Sequence, residues 1–290
     1  LSRLGAVVGR GGLLRPLAGG VYRVGPAMIA DLSAAKYGEH ARNLGALIAG
    51  MIGEELGIPA FIADPVVVDE LSDVARVAGN ALFRRRSIFH ALNQKAVARR
   101  WCRERGRSYD DAALVVAHMG GGCTIGLHRE GRVVDVNNGL DGDGPFAGER
   151  SGTLPAGDLV RMCFTGKYTQ REMLGMITGR GGLVSLAGTN DLRVLKERIG
   201  AGDEHADLVL RAFAYGVGKA IGALAAAASG KVDGIVLTGG MAHSTDVTSR
   251  IQKMCNFIAP VTVYPGEGEL EALAQAGESA LAGDAPVLEY

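Results

Sequence analysis

Residues 114–155 read LVVAHMGGGCTIGLHREGRVVDVNNGLDGDGPFAGERSGTLP, and the order of parts in that stretch restricts the chain more than any other. The apolar run 114–117 fits an interior strand. It discharges into Gly120, Gly121 and Gly122, where the lack of side chains lets backbone N–H groups close around an anion. Thr124 follows with a hydroxyl donor. Residues 125–128 and 132–136 flank Glu130 and Gly131, which read as the tight turn of a hairpin. Strand, glycine turn and hairpin together predict a three-stranded ribbon folded around a phosphate. A pyridine-dinucleotide fold is disfavoured, because the glycine turn leads into a hairpin and not into a helix.

The charge balance excludes some partners. Lys plus Arg equals Asp plus Glu, at 31 each in 290 residues, so no global field draws nucleic acid or an anionic membrane. The basic stretch 84–107 carries Trp101 and Tyr109 but no repeated aromatic platform, and with Glu104 interspersed it reads as a solvated helix face. Cys102, Cys123, Cys163 and Cys255 form no close metal-type pair, which favours free thiols in a reducing compartment. There is no uninterrupted apolar run of about 18 residues, so the expectation is a soluble, cytoplasmic protein with neither nucleic acid nor membrane as partner. A chain of this length usually divides into two cores. The 44 glycines are about twice the usual ~7% share without a collagen-like period.

A coarse pass places further elements. Residues 4–8 predict a strand ending at Gly9 and Arg10. Residues 39–56 predict a helix with Leu44, Leu47, Ile48, Met51 and Ile52 on one face, stopped by Gly57 and Pro59. A strand over 60–63 leads to Asp64, and strand ends are where open α/β folds place ligand chemistry. Ser87 is placed to cap a helix from 88 to about 105, with His90 and Asn93 sharing its face. In the second half, a small-residue helix over 206–228 carries Gly216, Gly218 and Gly222, as close packing on a sheet requires. A strand over 234–237 ends in Thr238, Gly239 and Gly240, a second glycine turn able to approach a nucleotide. A helix near 245–255, a strand over 261–264 and a helix from 270 to about 282 complete the pattern.

HMGGG, VDVNN and ERSGTLP resemble the acetate and butyrate kinase (acetokinase) family, in the wording of its butyrate kinase branch. VVGRGG, YGEHARNLG, FIADPVVVDEL, SIFHALNQKAVARR, LAGTNDLR, DGIVLTGGMAHS and FIAPVTVYPGEGELEALA extend the resemblance in order over nearly the whole chain. It implies an α/β, duplicated actin-like (ribonuclease H-like) fold of two lobes with mixed sheets and a truncated N-terminal lobe. The expected division is 1–68 as the remainder of that lobe, completed by about 276–290, and 69–275 as the C-terminal nucleotide-binding lobe. The family's opening phosphate loop, of the type NPGSTSTK, is absent and Leu1 is not methionine, so a fragment, or loss of that loop, is expected. GNALFRRR, at 79–86, also departs from the family's wording.

The implied activity is reversible phosphoryl transfer from ATP to a short-chain fatty acid, butyrate first, with acetate, propionate or a branched-chain acid as the rival. A reading from another class is an inactive nucleotide-binding fragment or scaffold. Such transfer needs fixed cations and aligned donors more than a strong base. Arg10 and Arg150 match arginines that line the family's carboxyl and phosphoryl site, and a guanidinium offers a permanent bidentate charge. His118 matches a histidine that stabilises the transition state, and Asp64 a catalytic aspartate. His40 and Asn43 match carboxylate-pocket residues. Asp191 and Arg193, with Gly239 and Gly240, match the surroundings of the adenosine, while Gly120, Gly121, Gly122 and Thr124 hold phosphates. Glu269 is the expected neighbour of Mg2+, with Glu267 as its competitor. Two lobes closing on the substrates and a homo-oligomer are the remaining implications.

Overall fold

The computed structural model describes residues 4–290; residues 1–3 of the expected N-terminal segment lie outside the described residues. The chain runs through β1 (Val7–Gly9), β2 (Val21–Arg23), α1 (Pro26–Ser33), α2 (Asn43–Leu56), β3 (Ala60–Ala63), α3 (Asp73–Arg76) and α4 (Ala91–Arg103). Next come β4 (Leu114–Met119), β5 (Cys123–Arg129), β6 (Arg132–Val136), α5 (Ala156–Cys163), α6 (Gln170–Ile177), α7 (Gly182–Ala187), α8 (Leu192–Gly200) and α9 (Glu204–Ala227). It ends with β7 (Gly234–Gly239), α10 (Thr245–Cys255), β8 (Val261–Pro265), α11 (Glu269–Ala282) and β9 (Val287–Leu288). Unit 1 comprises the chain up to Leu71 with Arg86–Ala96 and Gly268–Tyr290, and unit 2 comprises Ser72–Arg85 and Val97–Glu267. Residues 69–71, 86–96 and 268–275, expected with the second lobe, thus fall in unit 1.

Unit 1 is built on a four-stranded mixed sheet of order β1-β3-β2-β9. β1 and β3 are parallel, with Val7 opposite Ala60, and β2 runs antiparallel to β3. Helix α2 lies on this sheet by its small residues. Asn43, Ala46, Ala49 and Gly53 are its buried positions, whereas Leu44, Ile48, Met51 and Ile52 are exposed. The expected apolar stripe therefore faces outward. The reason is closeness: a Cβ on Gly9 would lie 2.2 Å from the Gly45 carbonyl oxygen, and one on Gly45 would lie 2.5 Å from that of Arg10. Backbones at that distance exclude leucine or isoleucine. Gly57 ends the helix in the left-handed region at φ 66°, as expected of a terminating glycine.

Unit 2 carries a five-stranded sheet of order β6-β5-β4-β7-β8. β4, β5 and β6 form an antiparallel meander, and β4, β7 and β8 are parallel neighbours. The hairpin turn is where the sequence put it: Glu130 and Gly131 both have positive φ, 52° and 71°, as a type I′ turn requires. β4 is buried on both faces because two clusters meet it. Val115, Ala117 and Met119 pack with Phe213, Val217 and Ile221 of α9, whereas Leu114 and Val116 pack with Trp101 and Tyr264. Phe213 is fully enclosed, so its truncation to Ala would cost about 3–5 kcal/mol. Helix α9 is long and apolar enough to cross a membrane, but its stripe of Val209, Phe213, Val217 and Ile221 forms the core of this unit.

Three local expectations change. Ser87 does not cap a helix; its hydroxyl is buried without a hydrogen-bond partner, and α4 begins at Ala91. Of the three α9 glycines, only Gly218 has its close approach, and it is to Met254 of α10 instead of the sheet. The odd stretch 79–86 also gains a role: Arg85 donates to the Ala75 and Val136 carbonyls and pairs with Asp135 at 2.9 Å, tying residues 72–85 to β6. The basic face stays in solvent, as expected: Arg99, Arg100, Arg103, Arg105 and Arg107 are exposed, with Arg107 paired to Asp233 at 2.9 Å and the Arg105 guanidinium 4.2 Å from the Trp101 ring centre.

Candidate active site

In unit 2 the carboxyl ends of the parallel strands β4 and β7 each run into a glycine turn. The N–H of Gly120 donates to the Gly122 carbonyl at 2.9 Å, and the Gly120 and Gly121 carbonyls accept from Gly148 and Glu149 at 3.1 and 2.9 Å. The first turn is thereby clamped to the loop that carries Arg150. Gly239 sits at φ 88°, and a Cβ there would lie 2.3 Å from the Met119 carbonyl oxygen. Only glycine lets β7 leave the sheet beside β4 at this point.

His118, Thr124 and Thr238 form one buried row across three strands. His118 is opposite Thr124 in β5 and opposite Thr238 in β7, and all three side chains are buried. Thr124 is thus a sheet residue beside the histidine and does not project from the glycine turn. The imidazole reaches toward that turn: a Cβ on Gly120 would lie 3.3 Å from His118 Nε2. The Thr238 hydroxyl donates to the Gly266 carbonyl at 3.1 Å.

A pocket of about 710 Å3 opens on both glycine turns. Gly120, Gly121 and Gly240 line one part, Leu192, Ile199, Leu210 and Met241 give it apolar wall, and Lys196, Arg250 and Glu267 add charge. An apolar cavity with a few polar groups is the usual form of a small-ligand site. Asp191 and Arg193 are both in its lining but are committed to each other. Asp191 caps α8, accepting the Arg193 N–H at 2.9 Å, and its carboxylate takes the Arg193 guanidinium at 2.6 Å. That guanidinium holds the Asp191 carboxyl down at about 2. Burial pushes the Cys123 thiol, next to the first turn, up to about 12.

Arg150 is largely buried, and its Nε has no hydrogen-bond partner. An enclosed, unmatched guanidinium N–H costs free energy, which marks this loop as more than scaffold. Its nearest acid is Glu149, at 3.6 Å, and Glu149 in turn accepts from Asn190 at 2.7 Å. Glu149, Asn190 and Lys196 were missed at the sequence level. Glu149 and Asn190 stand inside the motifs ERSG and TNDLR, so position next to a singled-out residue was their one signal.

In unit 1 a hollow of about 20 Å3 is lined by Arg10, Arg42, Asp64, His90 and Glu269. Arg10 follows β1 directly, Asp64 follows β3, and Glu269 opens α11. Arg10 and Glu269 are joined by an ion pair of 2.7 Å. Asp64 has φ 37°, a conformation costly for a residue with a side chain. It is held there by reciprocal bonds with Gly20, whose N–H donates to Asp64 Oδ1 at 2.8 Å and whose carbonyl accepts the Asp64 N–H at 2.9 Å. Strain of this kind collects at functional sites. His90, which the sequence placed only on a helix face with Asn93, is in this lining. His40 and Asn43 are not. The Asn43 amide is spent on backbone, accepting from Leu13 at 2.8 Å and donating to Gly38 at 3.0 Å, while His40 Nδ1 accepts from Arg42 at 3.0 Å.

Residues 73–281 match the model of the acetokinase family. The chain is 52% identical over 284 residues to a protein of Clostridium botulinum named "Probable butyrate kinase", covering 98% of this chain and 80% of that one. It is 51% identical over 290 residues to "Butyrate kinase 2" of Clostridium acetobutylicum, covering all of this chain and 82% of the other. Among solved structures, acetate kinase of Porphyromonas gingivalis superposes with a TM-score of 0.83 at 22% identity, over 97% of this chain and 79% of that one. The fold is accordingly the duplicated actin-like α/β fold of the acetate kinases.

Proposed function

The chain belongs to the acetokinase family, and we propose that it transfers the terminal phosphoryl group of ATP reversibly to the carboxylate of a short-chain fatty acid, with butyrate as the first candidate. The observation that carries this reading is the pair of glycine turns, Gly120–Gly122 and Gly239–Gly240, opening on one pocket of about 710 Å3. A pocket with apolar wall at one part and backbone turns at another suits a purine nucleoside and its phosphates. The names of the relatives at about half identity support butyrate.

In the transfer, a carboxylate oxygen bonds to the terminal phosphorus while the bond to the ADP oxygen breaks, and charge spreads over three equatorial oxygens. Arg150 supplies a fixed cation whose charge cannot be lost. His118, held between Thr124 and Thr238, donates a ring N–H as those oxygens become planar. Donors set in place beforehand stabilise the transition state without reorganising. In unit 1, Arg10 holds the acid's carboxylate, with His90 and Asp64 beside it. Among the described residues no three His, Cys, Asp or Glu side chains cluster as a metal site. Mg2+ is nevertheless compatible, since it takes only one or two carboxylates beside phosphate oxygens and waters, and Asp64 and Glu269 are the two that would hold it. When bound, it neutralises phosphate charge.

The experiment is ATP-dependent formation of hydroxamate from acetate, butyrate and isobutyrate. Butyrate should give the highest kcat/KM. No hydroxamate from any of the three would sink the proposal, and a clear preference for acetate would remove butyrate from it.

A further inference from the structure

Helix α8 supplies one wall of the pocket of about 710 Å3 in unit 2. Leu192, Lys196 and Ile199 all line it, four and three residues apart on one helix face. The cations of the lining are not equivalent. Arg193 is held by Asp191 at 2.6 Å, and Arg250 by Asp246 at 3.0 Å and Asp207 at 3.4 Å. Lys196 has neither ion pair nor hydrogen bond among the described residues. Two of the pocket's acids, Asp191 and Asp246, are thus already matched to arginines, and the lysine keeps its charge for a ligand.

Its place along α8 decides which part of a nucleotide it meets. The helix starts beside the first glycine turn: Asn190 donates to Glu149 Oε1 at 2.7 Å, and the Glu149 N–H donates to the Gly121 carbonyl at 2.9 Å. Lys196 comes six residues after Asn190, about 9 Å along the helix axis, in the direction where Ile199 adds apolar wall. With the phosphates on the glycine turns, that distance carries it to the base.

An ammonium has three donors and no acceptor. Adenine presents an amino donor at position 6, whereas guanine and hypoxanthine present a carbonyl oxygen there, beside the N7 acceptor that all three share. Lysine on O6 and N7 is accordingly a common contact to guanine. We propose that Lys196 reads the purine 6-oxo group, so that this pocket takes guanosine and inosine nucleotides at least as well as adenosine ones. The proposal rests on the reading of this pocket as the nucleotide site of a kinase, and it widens the phosphoryl donor from ATP to GTP and ITP. Against adenine the same ammonium faces another donor, a mismatch that lowers affinity. Lys196 is exposed, which screens the contact and holds the discrimination to about tenfold.

The test is calorimetric titration of the whole chain with ADP, GDP and IDP, using wild type, Lys196→Met and Lys196→Arg. Wild type should bind GDP and IDP at least as tightly as ADP. Lys196→Met keeps an apolar stem and should weaken GDP and IDP about tenfold relative to ADP, and Lys196→Arg should restore the wild-type order. ADP bound more tightly than both by wild type would overturn the proposal. So would a Lys196→Met loss equal for all three, the mark of a general electrostatic role, a loss confined to GDP, which would make the 2-amino group the feature read, or no binding of any of them. Hydroxamate formation from butyrate with ATP, GTP and ITP separates the two readings. The preference for IDP without turnover keeps the assignment of Lys196 and sinks the kinase. Turnover with a nucleotide ratio that Lys196→Met leaves unmoved keeps the kinase and sinks the assignment.

Discussion

Arg10 Nη1 lies 2.7 Å from Glu269 Oε2. The cation proposed to hold a carboxylate is thus already holding one, supplied by the first turn of α11, where a negative side chain is also favoured by the helix dipole. The pair acts as a place-holder: a substrate carboxylate competes with Glu269 for the same guanidinium. As a partly exposed ion pair it contributes at most about 1 kcal/mol to stability, so its value lies in fixing where the arginine points.

Glu269→Gln and Arg10→Ala should therefore separate. Arg10→Ala should raise the KM for butyrate and lower kcat/KM by about a hundredfold or more, as loss of a preorganised charged contact does. Glu269→Gln should lower the carboxylate KM, by freeing the arginine, while weakening the dependence on Mg2+. Steady-state kinetics against butyrate and Mg2+ read both. Equal effects of the two substitutions on every parameter would reject the competition.

Arg150→Ala should cut turnover by about a hundredfold or more with little change in ATP affinity, because its contact is made chiefly as the phosphoryl group passes between oxygens. The enclosed Nε without a partner adds a second expectation. Removing the guanidinium relieves an unmet donor, so the thermal midpoint should not fall by the amount usual for a buried side chain. Near-normal turnover with butyrate would remove Arg150 from the mechanism.

His118→Ala should lower kcat more than it raises the apparent KM, since a donor that tightens only in the transition state acts on kcat. The row Thr124–His118–Thr238 refines this. His118→Gln retains an amide donor of about the reach of Nε2 in the same strand position and should recover part of kcat. A defect confined to KM in both variants would mean that the histidine only lines the site.

How much of this was legible depends on which force decides each position. The turn at Glu130 and Gly131 and the strand at 60–63 follow from local rules, turn chemistry and an apolar run, and the structure places both where the sequence did. On α2 the large apolar residues are outside and the small ones inside, a choice made by backbones so close that a Cβ on Gly9 would lie 2.2 Å from the Gly45 carbonyl oxygen, which no periodicity reveals. The glycines before β5 and after β7 could be read as turns, but their meeting at one pocket rests on the parallel pairing of strands more than a hundred residues apart. The same holds for His90 beside Arg10 and Glu269. The Asp191–Arg193 pair, two residues apart, was within reach of sequence, yet its consequence, an arginine occupied by its neighbour, needed the side-chain geometry.

That pair gives the last expectation. The Arg193 guanidinium lowers the Asp191 carboxyl from 3.8 to about 2 in the folded chain. A carboxylate depressed on folding contributes stability that is fully present above its unfolded value and is lost as pH falls through the folded one. Its share therefore disappears between pH 3.8 and about 2. Asp203, lowered by its cap bond to Ala206 and by Arg198, and Asp233, lowered by Arg107, act in the same direction, so wild-type stability should fall below about pH 4 in several overlapping steps. Asp191→Asn keeps the capping acceptor for the Arg193 N–H and removes the carboxylate charge, and with it the ion pair to the guanidinium and its titration. The difference between wild-type and D191N melting temperatures should be constant above pH 5 and shrink as pH falls toward about 2. Melts recorded from pH 6 down to pH 2 at fixed ionic strength measure it; a difference that stays constant over that range would show that Asp191 titrates alike in the folded and unfolded chain and that Arg193 is free to serve a ligand.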